Sequence, residues 1–147
     1  MVILIGMGSG KWEALSAQAQ QAVRSAGLVF GAKRLLAGLP ADCTARQFAL
    51  YQPADILETL AQTPGQDAAV LYSGDTGFYS GASGLLTPLR ALGIPARVYP
   101  GVSSIQLLSA ALGRPWQDWK LVSAHGCACD PVAECMMTRS VFFLPGG

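Results

Sequence analysis

Charge is scarce in this chain. Of 147 residues only 13% are Asp, Glu, Lys or Arg, about half the usual share of a soluble domain. Ten basic and nine acidic side chains leave a net charge of +1, with no basic stripe along any segment. That excludes electrostatic capture of nucleic acid. Long apolar runs are missing too. Mean hydropathy is +0.36, yet Gly, Pro or a charge interrupts every run before the ~18 residues of a membrane span, so no membrane role is expected. No basic n-region precedes the apolar N-terminus MVILIG, so no secretory signal is read and a cytoplasmic location is expected. Cysteines are four, Cys43, Cys127, Cys129 and Cys135, read as reduced thiols. With the single histidine, His125, three of them make H-x-C-x-C-x5-C. This is not the C-x2-4-C pairing of zinc sites, and no metal is expected.

What is present is apolar residues, at 51%, which excludes disorder and allows one substantial core. Short β-branched-rich runs at 1–5, 28–32, 68–72, 97–99, 121–124 and 141–144 read as strands. Between them the apolar spacing predicts helices over 12–26, 33–39, 53–62, 103–112 and 131–137. A further helix over 84–92 carries Pro88 and is expected to be short or kinked. Strands alternating with helices predict an α/β fold, a mostly parallel sheet with helices on both faces. The strand Val141–Leu144 reads either as a closing edge or as the opening of a second α/β domain.

In open parallel sheets ligands bind beyond the carboxyl ends of the strands. Four strands here end in unusual sequence: Gly6-Met7-Gly8-Ser9-Gly10, Ser73-Gly74-Asp75-Thr76-Gly77-Phe78, Pro100-Gly101-Val102-Ser103-Ser104 and Ser123-Ala124-His125-Gly126. A single such loop is a plain tight turn; four on one edge point to a ligand cleft. The first loop is not a Walker phosphate loop. It matches the dinucleotide pattern G-x-G-x-x-G only in its first two glycines, since Lys11 stands at the third. No nucleophile elbow occurs. His125 reads equally as a structural or a catalytic histidine, and Asp75 as an acid–base group or as the cap of its own turn. No general base is assigned. So few catalytic groups suit a reaction that rests on positioning and on a reactive cofactor.

These segments, in this order and over nearly the whole chain, resemble the tetrapyrrole (corrin/porphyrin) methyltransferases. Gly31-Ala32-Lys33-Arg34, Gly77-Phe78-Tyr79-Ser80 and Pro115-Trp116 resemble the members that methylate a precorrin at C5. The resemblance implies two α/β domains, S-adenosylmethionine as cofactor, a homodimer, and a precorrin or cobalt-precorrin substrate in cobalamin biosynthesis. It also implies a C15-methylating, decarboxylating partner, fused or separate. By the same resemblance Gly74, Asp75, Thr76 and Phe78 form the cofactor loop, and Ser103 and Ser104 line the same pocket. Gly8, Ser9, Gly10 and Lys11, with His125 and Gly126, face the tetrapyrrole. Thr76 stands where the family usually has proline. Lys33 and Arg34 read either as solvated surface charge or as donors to the substrate's carboxylates.

The layout expected from this resemblance is an N-terminal α/β domain over 1–126, a linker and helix over 127–140, and the incomplete start of a second domain over 141–147. Two other readings stay open at this stage: a nucleotide- or NAD-binding domain built on the 6–10 loop, and a non-catalytic binding module.

Overall fold

The computed structural model describes residues 1–124 and 129–145. The chain divides into two compact units, Met1–Ser103 and Ser104–Gly147.

The first unit is built on five parallel strands: β1 (Val2–Gly6), β2 (Leu28–Gly31), β3 (Arg46–Phe48), β4 (Ala68–Tyr72) and β5 (Ala96–Tyr99). Their order is β3-β2-β4-β1-β5. β1 pairs Val2 with Ala68 on one side and with Ala96 on the other. Alternation along β1 sends Val2 and Leu4 to one face, Ile3 and Ile5 to the other. Both faces are covered, which is why β1 is an unbroken apolar run. On one face α1 (Ala17–Ser25) lays Ala19 and Val23 against Ile3, Ile5 and Met7. On the other, α3 (Pro53–Gln62) and α4 (Ala82–Ala91) bring Ile56, Ala82, Leu85 and Leu89 onto Val2, Leu4 and Phe30. A short helix, α2 (Lys33–Leu36), follows β2.

Several local expectations are corrected. The segment 12–26 is not one helix. Trp12–Ala14 is a 3-10 turn, Leu15 is extended, and α1 starts only after Ser16, whose side chain accepts the Ala19 N–H at 3.2 Å. The Gln20 amide donates to the Trp12 and Leu15 carbonyls, satisfying the broken turn. The opposite happens at Pro88: α4 runs through it for ten residues. One missing N–H costs less than the buried stripe Ala82, Leu85 and Leu89 returns. α2 ends at Leu36 rather than Leu39. Strand β3 had not been expected at all.

The second unit holds α5 (Ser104–Leu112), β6 (Lys120–Ser123), α6 (Pro131–Met137) and β7 (Val141–Leu144). β6 and β7 form a parallel two-stranded sheet of their own. β6 is therefore not the last strand of the first sheet. Asp130 caps α6 by accepting the Val132 and Ala133 amides, and Trp119 stacks on Phe142 at 6.5 Å. No described helix is long and apolar enough to cross a membrane.

Candidate functional site

The sheet order creates a crevice. From β1 the chain crosses to β2 on one side of the sheet; from β4 it crosses to β5 on the other. The connections leave β1 and β4 in opposite directions, and such a reversal point is where open α/β sheets bind ligands.

At this point backbone meets backbone. After β1 the Met7 amide donates to the Tyr72 carbonyl at 2.8 Å. Gly8 and Gly74 then exchange two hydrogen bonds, Gly8 N–H to Gly74 C=O at 3.0 Å and Gly74 N–H to Gly8 C=O at 2.9 Å. This is an antiparallel bridge between two parallel strands, and both glycines adopt the left-handed region, φ +55° and +67°. The 100–102 loop closes from the β5 side. A Cβ on Gly101 would lie 2.2 Å from the Gly74 carbonyl oxygen and 2.6 Å from that of Gly6. A Cβ on Gly6 would lie 2.5 Å from the Gly101 nitrogen. No side chain larger than hydrogen fits at either position.

Asp75 ties the loops together. Its Oδ2 accepts the Gly77 N–H at 2.9 Å, closing the Asx turn, and its Oδ1 accepts the Gly101 N–H at 3.1 Å. A carboxylate already accepting two backbone donors is a structural clamp. Thr76 places its hydroxyl 3.5 Å from the Tyr99 carbonyl, a long contact in the same direction. Phe78 and Tyr79 meet edge to face at 5.0 Å, with Tyr79 at φ 47°, rare for a non-glycine residue. Beyond the clamp lies open space. Around Gly74 a Cβ would meet only the Ser103 Cα, at 4.0 Å, and the amides of Asp75, Thr76 and Val102 donate no hydrogen bond among the described residues.

Of the residues proposed from sequence, the structure brings Gly8, Gly74, Asp75 and Thr76 together, with Ser103 buried beside Gly74. Ser9, Gly10 and Lys11 continue the same β1 loop. Gly10 ends a turn, its N–H donating to Met7 C=O at 2.8 Å. Ser104 begins the second unit. His125 and Gly126 lie outside the described residues, as does Cys127. No group of three His, Cys, Asp or Glu able to hold a metal occurs among the described residues. Two participants had not been singled out. Gly101 is fixed by contact, and its only sequence signal was a glycine following a strand. Tyr72 ends β4 with its hydroxyl buried and without a hydrogen-bond partner among the described residues; burial pushes its pKa up to about 12.

Fold and site together define an α/β protein with its ligand crevice at the carboxyl edge of a parallel sheet. The family model of the tetrapyrrole (corrin/porphyrin) methylases matches residues 1–141, and the chain belongs to that family. It is 34% identical over 128 residues to the cobalt-precorrin-7 C(5)-methyltransferase of Salmonella typhimurium, covering 86% of this chain and 62% of that protein. Among solved structures, the precorrin-6Y methylase of Archaeoglobus fulgidus matches with a TM-score of 0.70 at 18% identity, over 97% of this chain and 72% of that one. Uroporphyrin-III C-methyltransferase of Thermus thermophilus complexed with S-adenosyl homocysteine matches with a TM-score of 0.68 at 23% identity, over 90% and 60% of the two chains. The chain spans about three-fifths of the length of the curated C(5)-methyltransferases it matches.

Proposed function

We propose that this chain is the cofactor-binding part of an S-adenosylmethionine-dependent C-methyltransferase that methylates a precorrin, or cobalt-precorrin, at C5 in cobalamin biosynthesis. The observation that carries the proposal is the Gly8–Gly74 bridge, clamped by Asp75 and open on its outer side. The names of the relatives support the reaction, and the ligand of the Thermus structure supports the cofactor.

The residues present fit that cofactor. Gly74 leaves its approach free of side chain, and the unused amides of Asp75, Thr76 and Val102 are donors for a bound carboxylate or ribose. Phe78, Ser103 and Ser104 complete the proposed pocket. When bound, S-adenosylmethionine supplies an already activated methyl group. The chain's task is then to align the macrocycle carbon with that methyl and to exclude water. Asp75 holds the loop and moves no proton. Gly8, Ser9, Gly10, Lys11, His125 and Gly126 are proposed to face the macrocycle. The proposal includes a cytoplasmic homodimer and a separate or fused C15-methylating, decarboxylating partner. It also includes a second α/β domain to which Val141–Leu144 belongs.

Titration calorimetry with S-adenosylhomocysteine and with NAD tests the reading. Binding of S-adenosylhomocysteine and not NAD is expected. Heat with NAD alone would replace the methyltransferase by a dinucleotide-binding domain, and silence with both would leave a non-catalytic module.

A further inference from the structure

The 6–10 loop has two sides. One is latched to Gly74, the proposed cofactor side. The other faces α2. A Cβ on Gly10 would lie 3.5 Å from Leu35 Cδ2 and 4.0 Å from Arg34 Nη1, and one on Gly38 would lie 3.0 Å from the Gly10 carbonyl oxygen. Leu35 is buried and anchors α2 in the core, while Arg34 stays exposed beside the loop. Buried Leu35 and the backbone contact at Gly38 therefore hold α2, and with it the backbone of Arg34, against the loop.

This arginine is not neutralised. The ion pairs formed by side chains among the described residues use Arg24 with Asp42 and Lys120 with Glu134, and Asp67 holds the N-terminal amine. Lys11, Lys33 and Arg34 make none. The turn beside Arg34 adds a donor: Gly10 N–H is used by Met7 C=O, whereas the Ser9 amide at the tip donates to nothing among the described residues. An unpaired guanidinium beside Gly10 and an unused amide at Ser9 thus lie on one glycine turn, with Lys11 next to it in sequence.

We infer that Arg34 reads a peripheral carboxylate of the macrocycle across the 6–10 loop, and so determines specificity for carboxylate-rich tetrapyrroles. The inference rests on the function proposed above. A planar macrocycle resting on the loop has one edge toward Gly74, where methyl transfer takes place. The acetate and propionate arms of its opposite edge project toward α2. A guanidinium fork takes such a carboxylate through two parallel N–H···O bonds, a geometry that an ammonium cannot reproduce.

The test uses the full chain and two probes, uroporphyrin for the macrocycle and S-adenosylhomocysteine for the cofactor. Porphyrin binding is read by fluorescence at several salt concentrations. Arg34→Gln is expected to weaken uroporphyrin binding about ten-fold, equivalent to ~1.4 kcal/mol, and to flatten its salt dependence. Arg34→Lys should recover only part of the loss. Both variants should keep the parent's thermal melt and its affinity for S-adenosylhomocysteine. Arg90→Gln, on α4, should change nothing. Equal uroporphyrin binding by the parent and Arg34→Gln, or none by the parent, overturns the inference and leaves the methyltransferase reading in place. Loss of S-adenosylhomocysteine binding by the parent, with the Arg34 dependence intact, overturns the methyltransferase reading alone.

Discussion

Two ends of one sheet are held by different means. At β1, β4 and β5 the carboxyl ends meet through Gly6, Gly8, Gly74 and Gly101, and backbone touches backbone. At β2 and β3 side chains reinforce the strand pairing: Phe48 stacks on Phe30 at 5.1 Å, and the Arg46 guanidinium lies 5.3 Å from the Phe48 ring centre. Side-chain packing stabilises but fills space. Backbone packing leaves amides within reach of an occupant and tolerates no added atom. The first end is built for a ligand and the second for cohesion.

The largest effect that would sharpen the contrast is at Gly101. Gly101→Ala sets a methyl 2.2 Å from the Gly74 carbonyl oxygen, and only a backbone shift relieves it. A loss of about 3 kcal/mol in urea unfolding is expected. A loss under about 0.5 kcal/mol, the level of an ordinary surface substitution, would show that the glycine edge is loose. At the other end, Phe48→Ala removes a half-buried ring and should cost about 2 kcal/mol with no change in ligand affinity. A coupled loss of S-adenosylhomocysteine binding would erase the division of labour.

Asp75→Ala comes next. It removes the clamp between the two loops and should raise the dissociation constant for S-adenosylhomocysteine about ten-fold, leaving the global melt nearly unchanged. In a complete enzyme it should introduce no titrating step near neutral pH. Normal cofactor binding with abolished turnover would make Asp75 a chemical participant instead.

Tyr72→Phe is the smallest. The hydroxyl has no partner among the described residues, so its loss at neutral pH should change stability by less than about 0.5 kcal/mol. The sign at high pH is definite. The unfolded phenol ionises near pH 10, while the folded one holds its proton to about pH 12. Above pH 10 the unfolded state binds fewer protons, so stability falls through this window. Denaturation curves at pH 9 and pH 11 should show a smaller fall for Tyr72→Phe than for the parent.

The glycine edge was legible in the sequence because its requirement is chemical: glycine alone tolerates those positions, and strand ends followed by Gly-x-Gly or Gly-Asp stand out. Helices with a buried stripe, such as α3, were legible for the same reason. The β3 strand was not. Three residues, two of them exposed, carry no period, and the strand exists because Phe30 offers Phe48 a ring to stack on. Pro88 misled in the other direction, since its local penalty is visible in sequence and the buried Leu85 and Leu89 that outweigh it are not. The pairing of β6 with β7 was hidden because strand partners are chosen at long range. Nothing in Leu121 or Val122 says that their neighbour is β7 rather than β1.

The pairing of β1 also sets a timetable. Strand β1 is central in its sheet, and Val2 finds its partners only 66 and 94 residues later in the chain, at Ala68 and Ala96. At roughly 5–20 residues per second, the ribosome keeps this apolar segment waiting for several seconds before β4 and β5 exist to cover it. The Gly8–Gly74 latch has to wait for β4 as well. During that interval MVILIG is an unpaired, uncharged, β-prone stretch, the kind of segment on which a nascent chain depends for chaperone cover.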